Sequence, residues 1–94
     1  MLTEVFHTRV QEQIRIQIPR LLRWKYKLAP GIVMRVQVTN KDSHDSHRFL
    51  AKMQQGGRIT VPKTLAELLS LKPHQVVRVV VWLPSENSRE SAQS

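Results

Sequence analysis

The string Arg15-Ile16-Gln17-Ile18-Pro19 returns 43 residues later as Arg58-Ile59-Thr60-Val61-Pro62. With that offset held and no gaps, 12 of the 34 positions from Phe6 to Thr39 are identical to their counterparts from Phe49 to Trp82. Ordinary residue frequencies would give about two. A unit this short cannot bury a sufficient core by itself, so the duplication restricts the chain to folds in which each copy completes the other.

Each copy reads as strand, strand, helix, strand. Phe6, Thr8 and Val10 share one face of a first strand, and His7, Arg9 and Gln11 share the other. The second copy repeats this with Phe49, Ala51 and Met53 against Leu50, Lys52 and Gln54. Gly56-Gly57 supplies positive φ for a tight reversal into the next strand, whereas the first copy has Gln13-Ile14 there and is expected to turn differently. Pro19 and Pro62 suit the first position of a helix, and Leu65, Leu68 and Leu69 give the second helix an apolar stripe. After the turn sequences Leu28-Ala29-Pro30-Gly31 and Leu71-Lys72-Pro73-His74, the alternation of Met34, Val36 and Val38, and of Val77, Val79 and Val81, predicts a third strand. The expected organisation is a first unit over 1–39, a polar linker over 40–46, a second unit over 47–83 and a disordered polar tail over 84–94. The two units form one compact, mainly β domain with two short helices.

Charge narrows the function. The chain carries 15 Lys and Arg against 7 Asp and Glu, a net charge of +8, so its surface attracts a polyanion, and nucleic acid is the commonest such partner. The absence of cysteine removes disulfides and thiolate metal sites and fits a reducing compartment. The longest apolar run, Val76 to Leu83, is broken by Arg78 and is far shorter than the roughly 20 residues of a membrane helix. The first residues lack the basic start and continuous apolar segment of a secretory signal, and the expected location is cytoplasmic, with nucleoid or ribonucleoprotein association.

The string Gly57-Arg58-Ile59-Thr60-Val61-Pro62-Lys63, followed by Leu65, Leu68-Leu69, Leu71-Lys72-Pro73 and a valine-rich strand, resembles the AbrB/SpoVT/MazE DNA-binding domain. The first unit resembles it more loosely through Arg15 to Pro19 and Leu28 to Val38. In that family two short chains exchange hairpins to build one small barrel. The resemblance therefore implies a swapped-hairpin, double-psi-like β-barrel, formed here within one chain as an intramolecular pseudo-dimer. It also implies DNA contact by basic residues around the motif arginine and early helix, which by position are Arg9, Arg15 and Arg23 in the first unit and Lys52 and Arg58 in the second. The neighbouring Arg20, Lys25 and Lys63 complete the candidate nucleic-acid-binding set. The chain departs from the family pattern in three ways. Ala66 stands where Arg23 would recur, Ile14 replaces the glycine before Arg15, and the usual acidic residue is absent at Ile32 and Gln75. The two halves are thus expected to bind unequally, with the contact surface leaning toward the first.

Other groupings carry less. The run Asp42-Ser43-His44-Asp45-Ser46-His47 offers metal-ligand and acid-base residue types, but in a polar linker without an orienting shell, and neither a metal, a cofactor, a small-molecule substrate nor catalysis is expected. Leu21 and Trp24 stand opposite Thr64 and Glu67, which gives the first helix a second apolar strip. Trp24 either meets a protein partner or second copy there or folds down over the core. Val80 and Trp82 likewise replace Gln37 and Thr39 on the outer face of the third strand, so Leu21, Trp24 and Trp82 are the candidate partner contacts. A DNA-binding regulator or chromatin-associated protein is the leading expectation, and a structural RNA-binding component of a ribonucleoprotein is the alternative. An antitoxin-like protein-binding module is a third reading. It is weakened because Ala92 is the one apolar side chain after Pro84.

Overall fold

A computed structural model describes residues 2–83; Met1 and the stretch 84–94, where the tail was expected, lie outside the described residues. The elements run β1 (Leu2–Arg9), β2 (Arg15–Gln17), α1 (Arg20–Lys25), β3 (Val33–Asn40), β4 (Ser46–Lys52), β5 (Arg58–Thr60), α2 (Lys63–Leu68) and β6 (Val76–Leu83). Strands β1, β6, β3 and β4 form one antiparallel sheet in that order, and β2 and β5 form a separate antiparallel ribbon. Every one of these pairings joins a strand of one unit to a strand of the other.

The registers are related by the same 43-residue offset as the sequence. Arg9 faces Val76 in the β1–β6 pair, and the counterparts of those residues, Lys52 and Val33, face each other in β3–β4. Two pairs are their own counterparts, Ile16 with Ile59 in the ribbon and Gln37 with Val80 between β3 and β6. They mark an approximate two-fold axis that passes through both sheets. Between the sheets lies one core: Ile16 and Ile59 from the ribbon, with Val36, Val38, Val79 and Val81 from the central strands, are all at 0% exposure. Full burial of each such side chain is worth roughly 1.5–3 kcal/mol relative to exposure.

The first copy does not turn differently from the second. Gln13 and Ile14 adopt φ of 62° and 52°, beside 80° and 79° at Gly56 and Gly57. Left-handed backbone at a β-branched residue costs about 1–2 kcal/mol. Tertiary hydrogen bonds hold it in place, since each turn is tied to the opposite unit through Val61 N–H to the Ile14 carbonyl at 3.0 Å and Ile18 N–H to the Gly57 carbonyl at 2.8 Å.

The helices also correct the reading of their sequence in detail. Pro19 and Pro62 have ψ of 138° and 139° and precede the first helical residue rather than occupying it. In α2 the core contact is made by Ala66 and Leu69, with Leu65 half-buried, while Leu68 is 58% exposed. Two turns present only a narrow face, and that face is rotated one residue away from the leucine stripe. The stretch read as a linker is a hairpin loop, because Asn40 closes β3 and Ser46 opens β4. Asn40, 4% exposed, donates through Nδ2 to the Leu69 carbonyl at 2.7 Å and accepts from the Asp42 N–H through Oδ1 at 2.9 Å. Its buried amide therefore binds the hairpin loop to the end of α2.

The largest departure between the copies is compensated in space. A Cβ placed at Gly57 would lie 2.4 Å from Arg23 Nε, so the Arg23 side chain lies directly across that glycine. At the two-fold-related place, the bulky Ile14 and the small Ala66 line one shallow pocket. Large meets small on both sides, with the roles exchanged between helix and turn.

Two outcomes follow from these contacts. Residues 1–43 alone lack all four strand pairings and are expected to show a coil circular-dichroism spectrum. Mixing with residues 44–94 should restore β signal, and a folded monomer of 1–43 would refute the account. Gly57→Ile should destabilise by about 2–4 kcal/mol through overpacking and backbone strain. Adding Arg23→Ala should recover roughly 1–3 kcal/mol of this in a double-mutant cycle measured by urea unfolding.

Candidate nucleic-acid interface

Strand alternation in the β2–β5 ribbon sends Ile16 and Ile59 inward and leaves Arg15, Gln17, Arg58 and Thr60 on the outer face. Arg15 faces Thr60 and Arg58 faces Gln17, so the two arginines are diagonal neighbours across the two-fold axis. At ribbon spacing their backbones are roughly 7–8 Å apart. Glutamines brace this face. Gln13 Oε1 accepts from Arg15 Nη2, Gln17 Nε2 donates to the Gly56 carbonyl, and Gln54 Nε2 donates to Thr60 Oγ1 at 3.0 Å. Gln11 closes the row, paired with Arg15 through the backbone bridge that leads out of β1.

Electrostatically the ribbon is uncompensated. Among the described residues Glu4 lies within 4.0 Å of Lys25 and Glu12 within 4.0 Å of the His74 ring, and neither carboxylate meets a ribbon arginine. Two like charges on one face of so short a ribbon give it a positive field that favours an anion. Arg20 and Lys63, the exposed first residues of α1 and α2, extend the positive surface symmetrically on either side. Arg9 and Lys52 lie at the two-fold-related ends of β1 and β4, and Arg9 Nη1 donates to the His74 carbonyl at 3.0 Å.

Two of the expected contact residues are engaged elsewhere. Arg23 does not stand in water. It is half-buried across Gly57, and its Nε donates to the Ile18 carbonyl at 3.2 Å, because the glycine opposite leaves room for the guanidinium. Lys25 belongs to a cluster at the edge of the sheet, with Nζ 3.6 Å from Glu4 Oε1 and 5.3 Å from the Tyr26 ring centroid. The Tyr26 hydroxyl donates to the same carboxylate oxygen at 2.6 Å. That hydrogen bond is the main cause holding the Glu4 carboxyl below its ordinary value of 4.5. Lys25 is raised above its ordinary 10.5, chiefly by Tyr26 and then by Glu4, and Tyr26 is raised above 10.0 by donating to Glu4.

Trp24 does not fold over the core. It is 80% exposed, as Leu21 is at 78%, and it lies among Arg23, Lys25 and Lys27. Trp82 is on a separate element, on the outer face of the large sheet, with the Arg48 guanidinium carbon 5.1 Å from its ring centroid. The bracing amides of Gln11, Gln17 and Gln54 were missed as site residues. Alternation along the repeated strands places Gln17 beside Arg15 on one face, and this was the signal for it in the sequence.

No helix among the described residues is long and apolar enough to cross a membrane. No family model matches the chain, and no curated protein matches it. Among solved structures the chain is similar to the solution structure of PHS018 from Pyrococcus horikoshii, with a TM-score of 0.74 and 26% identity over 84% of this chain and 88% of that one.

The Tyr26 cluster has a pH signature. Because the Glu4 value is lowered on folding, its contribution is present above the ordinary carboxylate value and is lost as pH falls through the folded one. The raised Lys25 and Tyr26 values act in the opposite sense, contributing below their ordinary values and losing that contribution as pH rises through the folded ones. Thermal melts of the protein and of Tyr26→Phe should therefore differ by a constant interval from about pH 6 to 9, and the interval should shrink in stronger acid and in stronger alkali.

Proposed function

We propose that the chain is a nucleic-acid-binding protein of AbrB-like architecture, acting by binding rather than catalysis, with duplex DNA as its preferred partner and a role in transcription regulation or chromatin organisation. The observation that carries this reading is the pair of two-fold-related arginines, Arg15 and Arg58, on a glutamine-lined ribbon where, among the described residues, no carboxylate neutralises them. A two-stranded ribbon fits the major groove, where arginine pairs bidentately with guanine and glutamine with adenine. Duplex DNA has local dyads of its own, and a ribbon with a two-fold axis through Ile16 and Ile59 matches them.

In this reading the two units form an intramolecular pseudo-dimer with swapped hairpins and a closed barrel. The support is that all four strand pairings cross between units at equivalent registers. The first unit contributes more to phosphate contact. Its helix and following turn carry Arg20, Trp24 and Lys27 where the second has Lys63, Glu67 and Ser70. A tryptophan ringed by cations suits an anionic partner better than an apolar one. The place of action in this reading is the cytoplasm, in association with the nucleoid.

Arg15→Ala with Arg58→Ala should weaken duplex binding at least tenfold and make log K against log salt less steep by roughly one to two units, with an unchanged melting temperature. Arg20→Ala with Lys27→Ala should cost more affinity than Lys63→Ala with Lys72→Ala. Unchanged binding by the folded Arg15/Arg58 double variant would remove the ribbon from the interface, and stronger loss of binding to structured RNA than to DNA at matched salt would favour the ribonucleoprotein reading.

A further inference from the structure

The outer face of the four-stranded sheet lies on the far side of the core from the ribbon and carries a different set of side chains. The registers place Trp82 beside Arg35, and Arg35 beside Leu50, in one row across β6, β3 and β4. The next row sets Val80 beside Gln37 and Gln37 beside Arg48. Gln37 Oε1 accepts from Arg48 Nε at 2.8 Å, which holds the guanidinium over the Trp82 ring. Arg35, Arg48 and Arg78 are exposed, Leu50 is 68% exposed, and no carboxylate side chain belongs to this face among the described residues.

From this arrangement we infer that the outer sheet face binds single-stranded nucleic acid, with a base stacked on the Trp82–Arg48 pair and phosphates drawn to Arg35 and Arg78. The site goes beyond the duplex reading of the ribbon and does not depend on it. Three features select the ligand. An acid-free face with four arginines, Arg9 at its margin among them, and Lys52 attracts an anion. An aromatic ring and an ordered guanidinium on an open sheet offer stacking planes, which unpaired bases use and the bases inside a duplex cannot. The third feature is symmetry. The row of Trp82, Arg35 and Leu50 has as its two-fold counterpart Thr39, Arg78 and His7, in which a threonine replaces the indole and an imidazole replaces the leucine. Arg35 and Arg78 remain a two-fold pair, but Trp82, Leu50 and Arg48 stand where the related positions hold Thr39, His7 and Val5, so the stacking groups lie on one side only, as befits a ligand that has a direction and no dyad.

The protein contains two tryptophans, so Trp24→Phe leaves Trp82 as the single indole reporter. Titration of that variant with a ten-nucleotide oligouridylate and with oligothymidylate should quench its emission saturably. Fluorescence anisotropy of the labelled oligonucleotides should show affinity falling about fivefold to a hundredfold in Trp82→Ala and in Arg48→Ala, with partial recovery in Trp82→Phe. Arg48 is exposed, so its variant tests the site even if Trp82→Ala lowers stability. Duplex binding by these variants should be unchanged, and single-strand binding by Arg15→Ala with Arg58→Ala should also be unchanged. Silent Trp82 emission at saturation, or unchanged single-strand affinity in Arg48→Ala and Trp82→Ala, would overturn the inference, whatever the ribbon does.

Discussion

The structure depends on backbone pairing between the two copies of the repeat. A strand whose polar groups are not paired must keep them in water, and neither copy contains a partner for its own long strands. β3 and β6 therefore meet at the centre, each flanked by the first strand of the other copy, and the short β2 and β5 close over them. Once β3 and β6 are paired at Gln37 and Val80, the alternation of valines on both strands presents Val36, Val38, Val79 and Val81 to one side. A slip of one residue would send the two valines of the slipped strand to solvent. The register, the core and the two-fold axis are consequences of the same pairing.

That constraint explains how the copies have diverged without losing the fold. The Arg23 side chain lies against Gly57 across the units, and at the related place Ile14 and Ala66 line one pocket, so the larger residue of each pair faces the smaller one. The strained φ of 52° at Ile14 is held because its carbonyl binds the N–H of Val61. A residue that looks poorly suited to its turn is thus maintained by a hydrogen bond from 47 positions away in the chain.

The two outward faces keep different parts of this symmetry. On the ribbon the self-paired residues Ile16 and Ile59 point inward, and the flanking arginines remain equivalent. On the sheet the self-paired Gln37 and Val80 point outward, and they differ. Packing constrains the first axis position because both isoleucines fill one core. No such demand acts on the second, which is where the surface has become asymmetric.

The sequence by itself determined the existence of two equivalent units, the order of strands and helices, and the inward face of each long strand, because these follow from a constant offset and from period-two alternation. It also showed the motif arginines and the overall positive charge. What it could not decide was every feature set by contacts between residues distant in the chain. Arg23 was legible as a basic helix residue, but its place across Gly57 depends on how the units dock. Leu68 was legible as part of a leucine stripe, but the rotation of a two-turn helix against the core exposed it and buried Ala66 instead. Asn40 reads as the start of a polar loop, and only the end of α2, brought within 2.7 Å, makes it a buried tie. Periodicity carries information along one strand, whereas burial and pairing are decided by the partner strand or helix, and that partner lies in the other copy.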